Sequence, residues 1–439
     1  MPTTKSESRT RTIVDVLQES FGEAMAAHPT AYRHKFRRMA HDPHSFYRGS
    51  AGLFYRDVTR MDAPYVDERS SRIWVHGDLH VENFGTYLNS AGRLVFDVND
   101  FDEAYVGHFT WDLLRFSTSL ALHGWQKALP DEEVRALIET YLRSYLRQVN
   151  HYRSTPDDTD FAIRLENARG PVLAALRQAR EVRRVDVLNQ LTTVEEHHRL
   201  FIVKDGVRRL GKAERARVLG AYEGYLSTIP DDKRSRIPVF YDVRDVVSTV
   251  THGIGSAGLT SYNLLLEGHS QALENDVVVQ MKQANVPALS RFIDSADIDA
   301  AFEHEAHRTV VSQRALQAHT DSLLGHTTMD GVGFVLSEIS PYEVGLAWSD
   351  LDEPDEIGVV VRQLGQATAK IHCASDEDSD QHLVTFQVEE AIAGPLEGRR
   401  SEFTTWVVEQ AMAYAAQVHT DYPLFVEAFK EGRVGLDAV

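Results

Sequence analysis

The chain has 439 residues, 43% of them hydrophobic, which is more than one small core usually holds, so we expect two or three lobes. Against 46 Lys and Arg stand 65 Asp and Glu, and the net charge of −19 argues against nucleic acid and anionic membranes as partners. The only cysteine, Cys373, excludes an intramolecular disulfide. The first residues lack the apolar core of a signal peptide, and no apolar run approaches the roughly 18 residues that span a bilayer. We therefore expect a cytoplasmic protein without a membrane segment.

The N-terminal half alternates between helical and β-type patterns. Apolar residues recur three and four apart over the first 70 residues, which predicts helices. Two short β-type runs follow, RIWVHGD and RLVFDVNDFD, and NSAG between them suits a turn. From Trp111 to about Leu226 the spacing again predicts helices.

The pattern changes near residues 228–242, where TIPDDKRSRIPVFYD combines prolines with charges and indicates a crossing between lobes. A strand, a glycine turn and a strand are predicted in DVVSTVTHGIGSAGLTSYNLLLEG, and a third strand in NDVVVQMKQ. A helix is expected from Asp297 to Leu324, then the strand GVGFVLSEI and a Ser-Pro break. From Glu356 onwards the chain is predicted to be helical.

The stretch VHGDLHVENFG, residues 75–85, has three interpretations. It can be a tight polar turn at the end of a strand. It can be a metal site, since His76, Asp78 and His80 alternate and would share one face of a continuing strand. It can also be a phosphotransfer loop, in which Asp78 takes the proton of the attacking hydroxyl and Asn83, five positions later, binds a metal on the nucleotide phosphates.

A phosphotransfer loop needs a further acidic residue to bind the metal, and VNDFDEA supplies Asp100 after one more strand. Asp97 and Asp102 flank it, so a change of register would change the ligand. The same run does not fit a calcium loop, because it lacks glycine at the sixth position and glutamate at the twelfth.

Three glycines, Gly253, Gly255 and Gly258, have the GxGxxG spacing between two predicted strands. An ordinary hairpin is one interpretation, and a loop whose backbone N–H groups approach phosphates is the other. Because a strand follows rather than a helix, the spacing favours a kinase-type flap over a dinucleotide fold. Lys282, at the end of the third strand, is either a solvated lysine or a phosphate ligand.

These residues carry a family resemblance. HGDLH with Asn83, and DFD at residues 100–102, resemble the catalytic and metal loops of aminoglycoside phosphotransferase-like kinases, whose pattern is HGDxHxxN followed by a strand and IDF or IDW. LGQATAKIHCASD resembles the helix that in these kinases comes just before HGDxH, although here it comes long after. With KFRRMAHDPHSFYRGSAGLFYRDV, the chain is identified as a member of the bacterial family called domain of unknown function 2252.

The resemblance implies an α+β, bilobal protein kinase-like fold that is circularly permuted, with a small antiparallel β-rich lobe inserted between two parts of a mainly helical lobe. Residues 1–235 would form the first part of the helical lobe, with the catalytic and metal loops. Residues 236–345 would form the nucleotide-binding lobe, and residues 346–439 the second part of the helical lobe.

The resemblance also implies an ATP- and Mg²⁺-dependent phosphotransferase that acts on a hydroxyl of a small molecule rather than of a protein. Asp78 would be the general base, with His76 and Arg48 as further catalytic candidates, and Asn83 and Asp100 would bind the metal. The implied nucleotide-binding residues are Gly253, Gly255, Ser256, Gly258, Lys282, Glu305, Glu338 and Ile339. Glu303, Glu305 and Gln313 are all candidates to pair with Lys282.

The alternatives are a catalytically silent nucleotide-binding module, adenylyl transfer, and hydrolysis of a phosphate ester at the same metal site. The acidic composition favours an acceptor that is polyhydroxylated or carries an amino group.

Overall fold

The computed structural model of the protein describes residues 4–155, 157–250, 255, 257–317, 319–377, 379 and 381–435. Two residues of the predicted flap, Gly253 and Ser256, lie outside these ranges. The architecture is mixed α+β, as the sequence predicts. Within the described ranges, none of the helices is both long and apolar enough to cross a membrane.

The helices are α1 Thr4–Ala27, α2 Pro29–Met39, α3 Pro43–Gly49, α4 Ala51–Val58, α5 Phe109–Gln126, α6 Asp131–Tyr152, α7 Gly170–Glu181, α8 Arg184–Leu191, α9 Lys212–Leu226, α10 Ala296–Asp299, α11 Glu305–Gln317, α12 Pro354–Cys373, α13 Val388–Ala393 and α14 Arg400–Lys430. The strands are β1 Ile73–Val75, β2 Phe84–Leu88, β3 Leu94–Val98, β4 Tyr105–Gly107, β5 Thr192–Glu195, β6 His198–Phe201, β7 Val207–Arg209, β8 Val243–Val250, β9 Thr260–Leu266, β10 Val277–Gln283, β11 Gly325–Met329 and β12 Val332–Glu338.

The larger sheet is antiparallel and has the order β11-β12-β10-β9-β8-β7. The strands on either side of the glycine turn, β8 and β9, are neighbours in this sheet, and β10 lies beside β9, as predicted. Lys282 on β10 lies opposite Ser261 on β9, which in turn lies opposite Thr249 on β8. Because directly opposed residues in antiparallel strands point to the same face, these three side chains share one face of the sheet.

Small pairs of strands support the loops of the helical part. β1 pairs with β4, and β2 forms a hairpin with β3. In the turn of that hairpin, the Asn89 side chain accepts hydrogen bonds from the backbone of Ala91 and Arg93, and Gly92 has a φ of +69°. The NSAG turn is therefore confirmed, with asparagine and glycine in the positions that a tight turn requires.

Two predictions about secondary structure are wrong. The segment from Trp111 to Leu226 is not helical throughout, because β5, β6 and β7 lie within it. The helix expected to reach Leu324 ends at Gln317, and β11 follows. In both places strand pairing and tertiary packing override the local helical spacing.

Two main hydrophobic cores correspond to the helical part and to the larger sheet. The first is built from α1–α6, α12 and α14 around β1–β4. The second lies between one face of the sheet and α9, where Val218 and Tyr222 pack against strand residues such as Leu264 and Val279. Because β7 is a strand of the larger sheet and α9 belongs to this second core, the sheet-bearing part extends upstream of residue 236.

The C-terminal segment is joined to the N-terminal one by buried charges. Lys370 on α12 donates to Asp97 on β3 at 2.6 Å, and both side chains are buried. Arg9 on α1 pairs with Asp421 on α14 at 2.6 Å. The first contact brings α12 next to β3, and the second joins α14 to α1.

Close packing between α12 and α6 gives a first prediction. A Cβ at Gly365 would lie 2.4 Å from the carbonyl oxygen of Tyr141, a backbone atom of α6. We therefore expect Gly365→Ala to lower the free energy of unfolding by about 1–3 kcal/mol, because overpacking outweighs the better helix propensity of alanine. Chemical denaturation measures this change.

The matched control is Gly358→Ala in the same helix, where the nearest atom would lie 3.8 Å away on Leu137. This variant should be as stable as the wild-type protein or up to about 1 kcal/mol more stable. Equal effects of the two substitutions would contradict the described packing of α12 on α6.

Candidate functional site

The loop that follows β1 is held by one buried carboxylate. Asp112 on α5 accepts hydrogen bonds from the backbone N–H of His76 at 2.6 Å and of Gly77 at 3.0 Å. His372 on α12 places its Nε2 3.1 Å from the same carboxylate. Burial alone would raise the pKa of Asp112, but His372 and the backbone donors lower it overall. Asp112 thus has a structural role, in which it caps the loop rather than its own helix.

The conformation of this loop requires glycine at one position. Gly77 has a φ of +81°, and a Cβ there would lie 2.0 Å from the carbonyl oxygen of Glu103. The Tyr55 hydroxyl donates to the Gly77 carbonyl from the other side. Only a residue without a side chain allows the loop to pass so close to the connection between β3 and β4.

Asp78 is bound by a buried arginine that the sequence analysis missed. Arg115 Nε donates to Oδ1 of Asp78 at 2.8 Å, and the guanidinium lies 4.6 Å from the ring centroid of Tyr47. The Arg115 side chain is fully buried, whereas that of Asp78 is 20% exposed. The other carboxylate oxygen, Oδ2, is 3.9 Å from Nε2 of His80. One oxygen of Asp78 is therefore fixed by Arg115, and the carboxylate still lines an open space.

The acidic residues after β3 meet the lysine of β10. Lys282 Nζ donates to Asp102 although the two residues are 180 positions apart. Burial alone would lower the pKa of Lys282, but the charges of Asp102 and Asp100 raise it above its usual range. The pKa of Asp100 is raised by its desolvated position at the cleft and by the charges of Asp102 and Asp78, with Lys282 opposing. The Asp100 side chain lines the cleft.

Side chains from both parts of the molecule line a single cleft with about 130 Å³ of free volume. Its charged members are four carboxylates and four basic side chains. They are Lys35, Arg48, Asp78, Asp100, Asp102, Glu103, Lys282 and Arg291. Gly255, from the predicted flap, also lines this cleft. Four predicted site residues besides Gly255 are therefore brought together: Arg48, Asp78, Asp100 and Lys282.

Two other predicted residues support the loop and do not line the cleft. His76 is buried, with Nε2 2.8 Å from the carbonyl oxygen of Asn99 and Nδ1 accepting from the Asp78 backbone N–H at 3.3 Å. Asn83 uses its side-chain amide to donate to the Asp78 carbonyl at 2.9 Å. Both side chains position the backbone around Asp78.

Arg48 reaches the cleft from the last turn of α3. Its Nε donates to Nε2 of His80 at 3.2 Å, and its guanidinium also pairs with Glu82. Arg48 is thus linked through His80 to Asp78, on the far side from Arg115.

The prediction that Glu305 binds Lys282 is wrong, because Lys282 pairs with Asp102. Glu305 instead accepts from Arg308 at 2.8 Å, one turn along α11. Arg308 in turn donates to the carbonyl oxygens of Asp102 and Asn285. The helix therefore supports the acidic loop through an arginine rather than supplying a carboxylate to the lysine.

The backbone N–H groups of Glu338 and Ile339, two of the predicted nucleotide-binding residues, already donate hydrogen bonds within the protein. The Glu338 backbone N–H donates to Asp321 at 2.8 Å, and that of Ile339 donates to the Val278 carbonyl at 2.8 Å. Arg184 on α8 pairs with the Glu338 carboxylate. Neither Glu338 nor Ile339 lines the cleft among the described residues.

The sheet face next to this segment is covered. Leu188 on α8 and Phe201 on β6 pack with Val247, Leu265 and Val278 of the sheet in a small third core. Sequence spacing gave no indication of this cover, because β6 lies in the segment predicted to be helical.

Gly258, the last glycine of the predicted flap, has a φ of +78°. A Cβ there would lie 3.2 Å from atoms of His28 and Tyr32. The glycine turn therefore packs against the start of α2, which lies next to the cleft.

Three charged groups of the cleft were not predicted: Glu103, Lys35 and Arg291. Glu103 accepts from Asn285 Nδ2 at 3.0 Å and from the Ala288 backbone, and burial raises its pKa to about 7. Lys35 on α2 is buried, and burial lowers its pKa to about 8. Arg115 lies one helical turn after Asp112, and this spacing could have indicated that both residues contact the same loop. No motif distinguishes Lys35 from its basic neighbours.

Comparison with known proteins gives one family. A family model described as an uncharacterized protein conserved in bacteria (DUF2252) matches residues 28–428. No curated protein and no solved structure matches the chain.

Proposed function

We propose that this chain, which belongs to the uncharacterized bacterial family DUF2252, is a phosphotransferase that moves the terminal phosphoryl group of ATP to a hydroxyl of a small molecule. The observation that carries the proposal is the meeting of Lys282 with Asp102, beside Asp78 and Asp100, in one cleft. Phosphoryl transfer is catalysed mainly by positioning and by charge stabilisation, and these residues supply both.

In the proposed reaction the oxygen of the acceptor hydroxyl forms a bond to the γ-phosphorus. The bond from that phosphorus to the β–γ bridging oxygen breaks, and ADP leaves with the electron pair. The hydroxyl proton passes to the Asp78 carboxylate, whose orientation is fixed by Arg115. Lys282 contacts the phosphates of the donor, and Arg48 lies on the Asp78 side of the cleft through its bond to His80.

Magnesium fits the donor set of the cleft. Mg²⁺ usually binds one or two protein carboxylates together with substrate phosphates and water. The described residues contain no cluster of three or more His, Cys, Asp or Glu that could hold a metal unaided. Asp100 and Asp102 are the residues that would hold the ion, which when bound neutralises phosphate charge. Asn83 was predicted to bind the metal, but here its side chain supports the loop by donating to the Asp78 carbonyl.

The position of α12 supports a circularly permuted kinase-like arrangement as part of the proposal. In the kinases that the sequence resembles, the corresponding helix directly precedes the catalytic loop. Here α12 follows it in the chain, yet Lys370 bonds Asp97 and His372 contacts Asp112, 273 and 260 positions away. These contacts support the proposal, because it requires α12 to lie beside the loop that follows β1.

Because α8 and β6 cover one face of the sheet, a nucleotide needs a way into the cleft. A free volume of about 130 Å³ is below the roughly 300–1,000 Å³ of pockets that enclose a small-molecule ligand. We therefore propose that ATP binding separates α8 and β6 from the sheet, as lids do in many transferases. The same cover favours a second candidate, hydrolysis of a phosphate ester at these carboxylates without a nucleotide.

Isothermal titration with ATP and Mg²⁺ tests the proposal. We expect wild-type protein to bind, and Asp100→Ala and Lys282→Ala to weaken binding at least tenfold, because each removes one charge that the metal and the phosphates require. Lys212→Ala, an exposed lysine at the start of α9, is the matched control and should bind as wild type.

Circular dichroism establishes that each variant is folded. Wild-type protein that fails to bind MgATP but hydrolyses p-nitrophenyl phosphate would replace the first candidate with the second. Normal MgATP binding by both cleft variants would show that the nucleotide site lies elsewhere.

A further inference from the structure

Lys35 is a buried cation without a counter-ion in the described part of the chain. Its side chain is 4% exposed, and Nζ lies 3.9 Å from the ring centroid of Phe21 and 5.8 Å from that of Tyr32. No carboxylate of the described residues is within ion-pair distance, although many other buried cations here are paired, as Lys370 is with Asp97. A buried ammonium group is costly when unpaired, so this position needs a ligand to supply the negative charge.

The carboxylates near Lys35 indicate which part of the cleft this lysine lines. The negative charges that act on Lys35 are those of Glu103 and Asp78, whereas Asp102 and Asp100 act most strongly on Lys282 and Glu103 acts on both lysines. The two lysines therefore divide the cleft. Lys282 stands with the residues assigned to the metal and the donor phosphates, and Lys35 stands with the residue assigned to the acceptor hydroxyl.

Lys35 also lines a second cavity, here called the α2 groove, between α2 and the strands beside the glycine turn. The α2 groove has a volume of about 890 Å³, within the range of small-molecule sites. Its polar lining residues include His28, His34, Lys35, Arg38, Arg208, Ser248, Thr249, Thr260 and Ser261. None of the described residues that line it is Asp or Glu, which is unusual in a chain with a net charge of −19.

We propose that the acceptor is a small hydroxyl compound with an anionic group of its own, a carboxylate or a phosphate, and that Lys35 binds this group at the junction of the cleft and the α2 groove. The inference rests on the proposed phosphotransfer, because it takes Asp78 as the residue that receives the acceptor proton. It replaces the neutral or amino-bearing acceptor expected from composition. The local charge at the site, rather than the net charge of the chain, selects the ligand.

The test uses the full-length protein, inorganic phosphate as the anionic probe, and a non-hydrolysable ATP analogue with Mg²⁺ to fill the donor site. Titration of phosphate into protein loaded with the analogue should show binding to the wild type. Lys35→Met should weaken that binding at least tenfold, whereas Lys35→Arg should retain it within about threefold because the charge is kept. Lys212→Met is the control for loss of an exposed lysine.

The same variants separate this proposal from the proposed function. Lys35→Met should bind MgATP as tightly as wild type, and its thermal midpoint should not fall, because methionine removes an unpaired charge from an aromatic environment. Loss of MgATP binding in Lys35→Met would assign the lysine to the donor and overturn the inference.

Absence of phosphate binding by loaded wild-type protein, or equal binding by Lys35→Met, would also overturn it. If wild-type protein does not bind MgATP at all, the proposed function fails. Phosphate binding that still depends on Lys35 would in that case leave the anion site in place.

Discussion

Under the proposed function, Asp78→Asn is expected to reduce phosphoryl transfer by about 10²–10⁴-fold, because an amide cannot accept the acceptor proton. It should also lower the free energy of unfolding by about 3–5 kcal/mol, since Arg115 is fully buried and loses its only carboxylate partner among the described residues. Release of ADP from MgATP in the presence of a bacterial metabolite extract measures the first effect, and urea denaturation the second.

A second substitution separates these two effects. In Asp78→Asn/Arg115→Met the uncompensated charge is gone, and methionine can pack against the rings of Tyr47 and Phe54 that now face the guanidinium. Stability should largely recover while turnover remains absent. Recovery of activity together with stability would show that Asp78 acts only as the counter-ion of Arg115, and the assignment of the general base would be wrong.

Acidification is expected to destabilise the protein through a group of buried histidines. The ring of His44 lies 6.0 Å from that of His123 and 6.3 Å from that of His80, and all three are buried. Burial, reinforced by the charge of Arg48, lowers the pKa of His44 to about 3. Burial, reinforced by Lys127, lowers that of His123 to about 4, and the pKa of His80 is also well below its usual value.

The free energy of unfolding falls on acidification because these three histidines stay neutral in the folded state. Below about pH 6.5 the unfolded chain binds protons at these positions and the folded chain does not, so stability is complete above pH 6.5 and falls as the pH decreases. Between pH 6.5 and pH 5, His44 and His123 should each cost about 2 kcal/mol, and His80 should add to the loss. Asp42, which opposes the shifts of His44 and His123, moderates this effect.

Urea denaturation between pH 5 and pH 8 measures this dependence. His44→Gln should make the fall with acidification shallower by about one proton, and substitution of the exposed His382 by Gln is the control. A free energy of unfolding that does not change over this range would show that the three histidines are not buried as described.

The sequence predicted the strands that carry the site better than it predicted α8 and β6, which cover one face of the sheet. The hydrophobic runs of β8, β9 and β10 are long and regular, so their strands and the position of Lys282 followed from spacing. The prediction that Lys282 lies near Asp100, although they are far apart in sequence, agrees with the shared cleft. That prediction depended on the resemblance, since no periodicity relates the two segments.

The features that were missed depend on long-range contacts between residue types that have no periodic signal. Lys282 pairs with Asp102 rather than with one of the candidates Glu303, Glu305 and Gln313. Asp100, two residues before Asp102, has a left-handed backbone with a φ of 59°, which the spacing did not indicate. Leu188 and Phe201 cover the sheet through tertiary packing that their local sequence does not show. Lys35 appears in a run of basic residues, and only its burial distinguishes it.

The contacts between α12 and the β1–β4 region have a consequence for biosynthesis. A ribosome delivers the segment with Asp78 and Asp100 well before the helix that carries Lys370 and His372, the partners of Asp97 and Asp112. Contacts of such high sequence separation form late, because the long intervening chain must first be brought into place. We therefore expect the loop that follows β1 to stay unordered and protease-sensitive in a nascent chain until α12 has emerged.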